Sequence, residues 1–342
     1  MKYLSFLVPS YNSEKYLNKA VDSLLVGGDD VEIIIVNDGS KDGTLKIARE
    51  YEEKYPNIIK VVDKENGGHG SGINQGVIHA TGLYFKVLDS DDWANEKGYL
   101  HLLDVIKENA KKELYPDTYI MKFYYDHFDR DYRYALPLEK RFPKDQMISW
   151  NKVKTKSTDV RMLHSLFFKL SMLKENKIVL LEKTFYEDCE LVYKTMYHTQ
   201  TLYYIDDVFY HYFIGRNDQS VSPAGMEKHY GDYLKVLKRI FSYKSYQEIK
   251  LLGKEHRKNV IDQIMAEFTL CFVACFGIYR KQKSLDYKAT MKELKQIDKK
   301  LYRKIRYRTL FFWTIFFIKP LRSWMVQTGV NIFDKNMKWT KK

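Results

Sequence analysis

The chain has 342 residues, with 57 Lys and Arg against 44 Asp and Glu and a formal net charge of +13. Hydrophobic residues make up 45% and charged residues 30%. That balance excludes disordered and fibrous classes and leaves a globular protein of one large or two smaller domains, with ample core. Seven Pro and 17 Gly exclude a low-complexity chain, and three Cys (Cys189, Cys271, Cys275) exclude a disulfide framework and point to a reducing compartment.

The chain runs from Met1 into a strand-like segment with no secretory signal before it, so a cytoplasmic location is expected. Residues 4–8 read as a strand closed by Pro9 and Asn12, and Tyr16, Leu17, Ala20, Val21, Leu24 and Leu25 recur at helical spacing. A second strand, residues 31–36, is dense in β-branched residues and ends at Asn37-Asp38-Gly39-Ser40. A helix is predicted from Thr44 to Tyr55, a strand over 58–62, and a glycine loop from Gly67 to Gly76 that opens a helix to Ala80. A fourth strand, 84–88, ends in Asp89-Ser90-Asp91-Asp92, with a helix starting near Glu96 that an Asp of this turn or Asn95 could cap. Strands separated by single helices make βαβ units, hence a mostly parallel central sheet with helices on both faces and an α/β class. Ligands of such sheets bind outside the carboxyl ends of the strands, where the clusters at Tyr11, Asp38 and residues 89–92 fall.

Beyond that unit, residues 114–138 read as strands, a loop enters a helix near Glu187, and residues 203–213 form an aromatic strand. From Met226 the pattern is helical, with two helices before residue 280 and a basic one to about residue 309. The segment from Arg280 to Lys342 holds 18 basic and 4 acidic residues, so the positive excess of the whole chain lies there. Its apolar stretch, residues 310–318, has nine residues against the roughly 18 needed to cross a bilayer. Basic residues beside Phe and Trp suit a helix lying on an anionic membrane surface, the alternative being a helical extension packed on the catalytic domain or on a second subunit. No nucleic-acid recognition motif accompanies the charge, so no nucleic-acid partner is expected.

Three carboxylates within residues 89–92 repel one another unless a cation offsets them, which makes the turn a candidate Mg²⁺ site, the plainer alternative being a helix-capping turn. Asp38 beside Gly39 can accept a hydrogen bond from a ligand, or can serve as a turn residue. The glycines between Gly67 and Gly76 match neither phosphate-loop nor dinucleotide spacing, and His69 there reads as a hydrogen-bonding loop residue. A helix starting at Glu187 would favour the ionised form of Asp188. Cys271 and Cys275 read as core thiols, and His164, His211 and His229 as core or surface residues.

Pro9-Ser10-Tyr11-Asn12, Val36-Asn37-Asp38-Gly39-Ser40, Asp89-Ser90-Asp91-Asp92 and Glu187-Asp188, in this order, resemble family 2 glycosyltransferases of the GT-A fold over about residues 1–225. The resemblance implies inverting transfer of a sugar from a nucleotide donor, usually UDP-linked, to a hydroxyl of a glycan or lipid-linked acceptor in bacterial surface-polysaccharide or wall-glycan assembly. It implies that Pro9, Tyr11 and Asp38, with Asn12 beside them, hold base and ribose, and that Asp89 touches ribose or sugar. Asp91 would bind Mn²⁺ or Mg²⁺, Asp188 would be the catalytic base, and Arg216 and Ser220 would close over the diphosphate. The family commonly has Ala-Arg-Asn where this chain has Ser71-Gly72-Ile73-Asn74, so Asn74 matches as a donor-site residue and the Arg is missing, with His69 or Lys86 as candidate replacements.

The expected organisation is a catalytic domain over 1–225, split into a nucleotide-binding half (1–113) and an acceptor-binding half (114–225), followed by a helical, basic, membrane-associating region over 226–342. The enzyme is expected at the inner face of the cell membrane, as a monomer or an oligomer. A metal-dependent nucleotidyltransferase and an inactive scaffold subunit are the rival readings.

Overall fold

The computed structural model describes residues 1–127, 132–154, 162–215, 223–273, 282–317 and 340–341. The N-terminal elements alternate as the periodicity predicts: β1 (Leu4–Ser10), α1 (Leu17–Leu25), β2 (Val31–Asp38), α2 (Thr44–Lys54), β3 (Ile59–Lys64), α3 (His69–His79), β4 (Tyr84–Val87), β5 (Trp93–Ala94) and α4 (Glu96–Lys111). The second half adds β6 (Thr118–His127), β7 (Tyr132–Ala135), β8 (Met147–Ser149), β9 (Leu166–Lys169), α5 (Leu170–Glu175), α6 (Glu187–His198) and β10 (Thr201–Ile214). The central sheet runs β7-β6-β9-β4-β1-β2-β3, with the two-residue strand Thr340–Lys341 added antiparallel at the β7 edge and β10 joined to β5, β6 and β8. Its long ladders, β1 with β2 and β4, β2 with β3, and β6 with β10, are all parallel. The antiparallel pairings, such as β4 with β9, span only two or three residue pairs.

Side chains on a strand alternate between faces, and here both faces are covered. Leu4, Phe6, Val8, Ile33 and Ile35 pack into one core with Leu17, Leu24, Tyr99 and Leu102 of α1 and α4. Leu7, Ile34 and Val36 point the other way and pack with Ile73, Leu173, Leu191 and Met196 of α3, α5 and α6. Burial of each such aliphatic side chain contributes about 1.5–3 kcal/mol, which fixes the strand register and hence the side on which the strand ends gather.

The C-terminal region is α7 (Pro223–Tyr243), α8 (Tyr246–Leu251), α9 (Lys254–Val273), α10 (Gln282–Ile297) and α11 (Lys299–Phe317). Three helices therefore precede residue 274 where the periodicity predicts two, and the basic helix is divided in two. Local caps cause both breaks. Ser245 and Glu248 form a reciprocal capping box that starts α8, and Asp298 accepts from the Lys300 and Leu301 amides to start α11. A third core joins Tyr193 of α6 to Leu237, Phe268, Leu294, Leu301 and Ile305, so this region packs directly on α6. Cys271 is buried there as expected, and Cys275 lies outside the described residues.

The glycine-rich segment departs from expectation. It is helical from His69 on, and its glycines serve close packing rather than looping. A Cβ on Gly70 would stand 2.2 Å from the Leu181 carbonyl oxygen, and one on Gly76 would stand 2.6 Å from the Leu7 side chain.

Candidate active site

Because β1, β2 and β4 run parallel, their carboxyl ends share one edge of the sheet. Pro9 is buried in β1 opposite Val36, and Tyr11 follows it into solvent at 53% exposure. Asn12 adopts a left-handed φ of 51°. Its amide donates to Ser40 Oγ (3.0 Å) and its Oδ1 accepts from the Lys41 amide (2.8 Å), tying the loop after β1 to the loop after β2. The Ser13 and Ser90 hydroxyls meet at 2.6 Å and join the same loop to the acidic turn after β4.

Asp38, at the end of β2, is 4% exposed. Its carboxylate accepts from Lys64 Nζ (2.6 Å) and from the amides of Gly67 (2.8 Å) and Gly68 (2.7 Å). Gly68 needs its left-handed φ of 82° to present that amide. Asp38 therefore holds the turn from which α3 starts. The next residue, His69, reaches Glu187 Oε1 through Nδ1 (2.5 Å) and Asp89 Oδ1 through Nε2 (3.0 Å). Burial pulls the His69 pKa down, but the hydrogen bonds to Asp89 and Glu187 prevail and hold it well above its ordinary value. As an imidazolium it donates from both nitrogens and links the two acidic motifs.

The carboxylates of the acidic turn are pulled apart in character. Burial would raise Asp89, but the hydrogen bond from His69 and its charge bring it down to about 2. Asp92 is 1% exposed; burial and the neighbouring Asp91 and Asp89 raise it well above the usual carboxylate range. It accepts from the Tyr210 hydroxyl (2.6 Å) and the Phe213 amide (2.7 Å), fastening the turn to β10. Asp91 is half-buried between them. Beneath the turn Lys86 is fully buried, and its ammonium donates to the carbonyls of Leu163 (2.8 Å), His164 (2.7 Å) and Leu166 (3.2 Å). That engagement spends its donors on the backbone, and burial lowers its pKa well below the usual lysine value.

His164 completes the cluster. One donor atom each from Asp89, Asp92 and His164 lies within 4.8 Å of the others, and His164 Nε2 is 3.9 Å from Asp89 Oδ2. Burial takes the imidazole down to about 4, so it is neutral and able to ligate. The Asp89 carboxylate, a neutral imidazole and Asp92, whose ionised form a nearby cation would favour, fit a divalent cation such as Mn²⁺ or Mg²⁺. Among the described residues this is the set of donors that converges, and Asp91 sits in the same turn outside it.

Joined to the acidic turn through His69, α6 opens with Glu187 and Asp188 after Tyr186, which is held at a left-handed φ of 68°, a costly conformation for a residue with a side chain. Glu187 is 3% exposed, and its Oε2 has no hydrogen-bond partner. The half-buried Asp188 is raised to about 7, chiefly by burial, then by the charges of Glu187 and Glu267, with His69 opposing. The dipole of α6 would favour ionisation; burial and two neighbouring carboxyls outweigh it. Glu267 comes from α9, is 1% exposed, and accepts from Tyr233 (2.8 Å), Gln263 (2.7 Å) and the Cys189 thiol. Asn74 lies behind this wall: its amide clamps Leu180, donating to the carbonyl (3.1 Å) and accepting from the amide (2.9 Å), so it positions the segment leading to Asp188.

The structure thus brings Asp38, Asp89, Glu187 and Asp188 together through Gly67, Gly68 and His69. Arg216 and Ser220 fall outside the described residues. Sequence reasoning missed His164 and Glu267. A buried acid within the apolar run around Met265 and Phe268 was a usable signal for Glu267, whereas His164 carries no local pattern.

A sequence model of glycosyl transferase family 2 matches residues 5–170. An uncharacterized glycosyltransferase of Mycoplasma genitalium, MG025, is 32% identical over 239 residues, covering 65% of this chain and 72% of the relative. The minor teichoic acid biosynthesis protein GgaB of Bacillus subtilis is 38% identical over 111 residues, which are 32% of this chain but only 12% of GgaB. Among solved structures, S. aureus TarS residues 1–349 in complex with UDP superposes with a TM-score of 0.67 at 20% identity, covering 96% of this chain and 92% of that one. That likeness shows the shared GT-A fold. With the family's sequence pattern running from β1 into α5 and a relative matched over nearly three quarters of its length, the chain belongs to glycosyl transferase family 2.

Proposed function

We propose that this protein is an inverting transferase that moves a sugar from a nucleoside-diphosphate sugar, UDP-linked by preference, to a hydroxyl of a surface-glycan or lipid-linked acceptor. The observation that carries the reading is Asp188: a half-buried carboxyl raised to about 7, next in the chain to Glu187, which His69 bridges to Asp89 of the acidic turn. A base poised near working pH is what deprotonation of an alcohol requires. In the reaction Asp188 takes the acceptor hydroxyl proton, the acceptor oxygen bonds to the anomeric carbon, and the bond from that carbon to the diphosphate oxygen breaks. Attack opposite the leaving group inverts the centre. Tyr11, Asn12 and Asp38, with Pro9 beneath, are assigned to the base and ribose, and Asp89 to the sugar and ribose, on the family resemblance. Arg216 and Ser220 are assigned to the diphosphate on the family resemblance, and Asn74 supports the wall.

A divalent cation at the 89–92 turn would be held by Asp89, Asp92 and His164, with Asp91 beside them, and would supply Lewis-acid stabilisation of the departing diphosphate. TarS, of like fold, is seen with UDP, which supports the choice of donor. GgaB, by its printed name a teichoic acid biosynthesis protein, supports an acceptor of the wall-glycan kind. For location we propose the inner membrane surface, with the apolar segment 310–318 as the contact. No helix among the described residues is long and apolar enough to cross a membrane.

Incubation with a panel of nucleotide sugars tests the reading. Release of a nucleoside diphosphate, with transfer to an added acceptor, is expected. Release of pyrophosphate, or no turnover of any donor, would contradict it.

A further inference from the structure

Helices α9 and α11 pack against each other and leave between them a groove of about 770 Å³, lined by none of the site residues described above. Six cations line it: Lys254, Arg257 and Lys258 from α9, and Lys300, Arg303 and Lys304 from α11. Two carboxylates, Glu255 and Asp262, share the lining and offset only part of that charge. The spacings are those of one face on each helix, so the cations converge by construction rather than by scatter. All but Arg257 are exposed, and Arg257 donates to the Lys250 carbonyl at 3.1 Å. Like charges around one concavity repel, and an anion entering it relieves the repulsion.

The remaining lining is apolar. Ile261 and Met265 join the cations in the groove, with Tyr307 there at 85% exposure. Cations flanking an apolar and aromatic surface suit a chain in which phosphates alternate with carbon-rich units. A bilayer presents a plane and cannot enter a groove, whereas a single extended chain can. One helix links the groove to the site. α9 lines the groove from Lys254 to Met265 and, about 20 Å along its axis from Lys254, carries the buried Glu267, whose carboxylate holds the thiol of Cys189 beside Asp188.

We propose that the groove between α9 and α11 binds a linear, phosphate-bearing chain, the extended part of an acceptor whose reacting end lies at Asp188. The assignment to an acceptor rests on the transferase reading above, and the binding itself does not.

The test uses the full chain and short-chain inorganic polyphosphate as the probe, with affinity read by calorimetry. The parent protein is expected to bind it, and Lys300→Glu/Arg303→Glu to bind at least about tenfold more weakly, with an unchanged melting temperature. Lys300→Gln/Arg303→Gln, which neutralises without reversing charge, is expected to fall between the two. Sedimentation of all three with phosphatidylglycerol vesicles is expected to be equal. Polyphosphate affinity within twofold of the parent in the reversed variant would overturn the proposal. So would vesicle sedimentation that falls in step with it, since the groove would then face a lipid surface. Because the readout is binding rather than turnover, failure of the groove and failure of the transferase reading are told apart.

Discussion

His69 and Glu187, 118 residues apart in sequence, share a hydrogen bond of 2.5 Å. Through its other nitrogen the same imidazole reaches Asp89 at 3.0 Å, so one side chain at the start of α3 joins the turn after β4 to the start of α6. The backbone just before it is held by Asp38. Acidic groups from three distant stretches of the chain are thereby fixed around one cationic ring.

Removing that ring has two consequences. His69→Ala leaves Glu187, 4% exposed at its side chain, buried beside Asp188 without its counter-charge. Losing a buried partner costs about 3–5 kcal/mol; His69 is 35% exposed, which reduces the expected loss to about 2 kcal/mol. Urea unfolding measures this. The positive charge of His69 also lowers Asp188, so the acid limb of the pH–rate profile should move upward in the variant. An unmoved limb would show that His69 does not act on Asp188.

The donor set at the acidic turn predicts metal dependence. Chelation with EDTA should silence transfer, and Mn²⁺ or Mg²⁺ should restore it. His164→Ala should weaken Mn²⁺ binding, read by calorimetry, about tenfold or more. Full activity in chelator would remove the cation from the account.

The close approach of α3 to the segment before α6 predicts that Gly70→Ala is harmful beyond its helix propensity. A methyl there would meet the Leu181 carbonyl oxygen at 2.2 Å and Glu187 Cγ at 2.9 Å, and overpacking of this kind costs about 1–3 kcal/mol. Activity should fall along with stability, because the displaced residues carry Asp188. An exposed position on the same helix, such as Ile78→Ala, should leave activity unchanged.

Most of the N-terminal sheet was legible in the sequence. Strands β1, β2 and β4 are buried on both faces, and apolar runs such as residues 31–36 are the direct signature of that environment. The cap before α4 was readable only as one of two choices, an Asp of the turn or Asn95, and the structure selects Asn95, whose side chain accepts from the Gly98 amide at 3.1 Å. The glycines of α3 were not, because their reason is the proximity of Leu181 and Leu7, which no local pattern encodes. Likewise the acidic motifs could be found, but not their protonation. Asp188 stands at a helix start, which favours the anion, and only tertiary burial, with the charges of Glu187 and Glu267, reverses the balance. Lys86, a residue that could have served the donor, is turned inward to three carbonyls by the same kind of long-range packing.

The membrane contact has its own test, in which the C-terminal core dictates where to cut. Leu301 and Ile305 are fully buried, so a truncation before them would damage folding. A chain ending at Thr309 keeps both and removes the apolar segment. Its sedimentation with phosphatidylglycerol vesicles should be lost while its melting temperature is retained; undiminished sedimentation would place the contact elsewhere.

The most direct measurement is the pH dependence of kcat/KM for the parent enzyme beside Asp188→Asn. With the carboxyl raised to about 7, the ionised base is lost as pH falls, so the parent's rate should decline below about pH 7. The Asn variant should be slower by about 10²–10⁴-fold and flat across that range, with nucleotide-sugar affinity unaltered. An Asp188→Asn enzyme that turns over at the parental rate, with the parental acid limb, would contradict the assignment on which this mechanism stands.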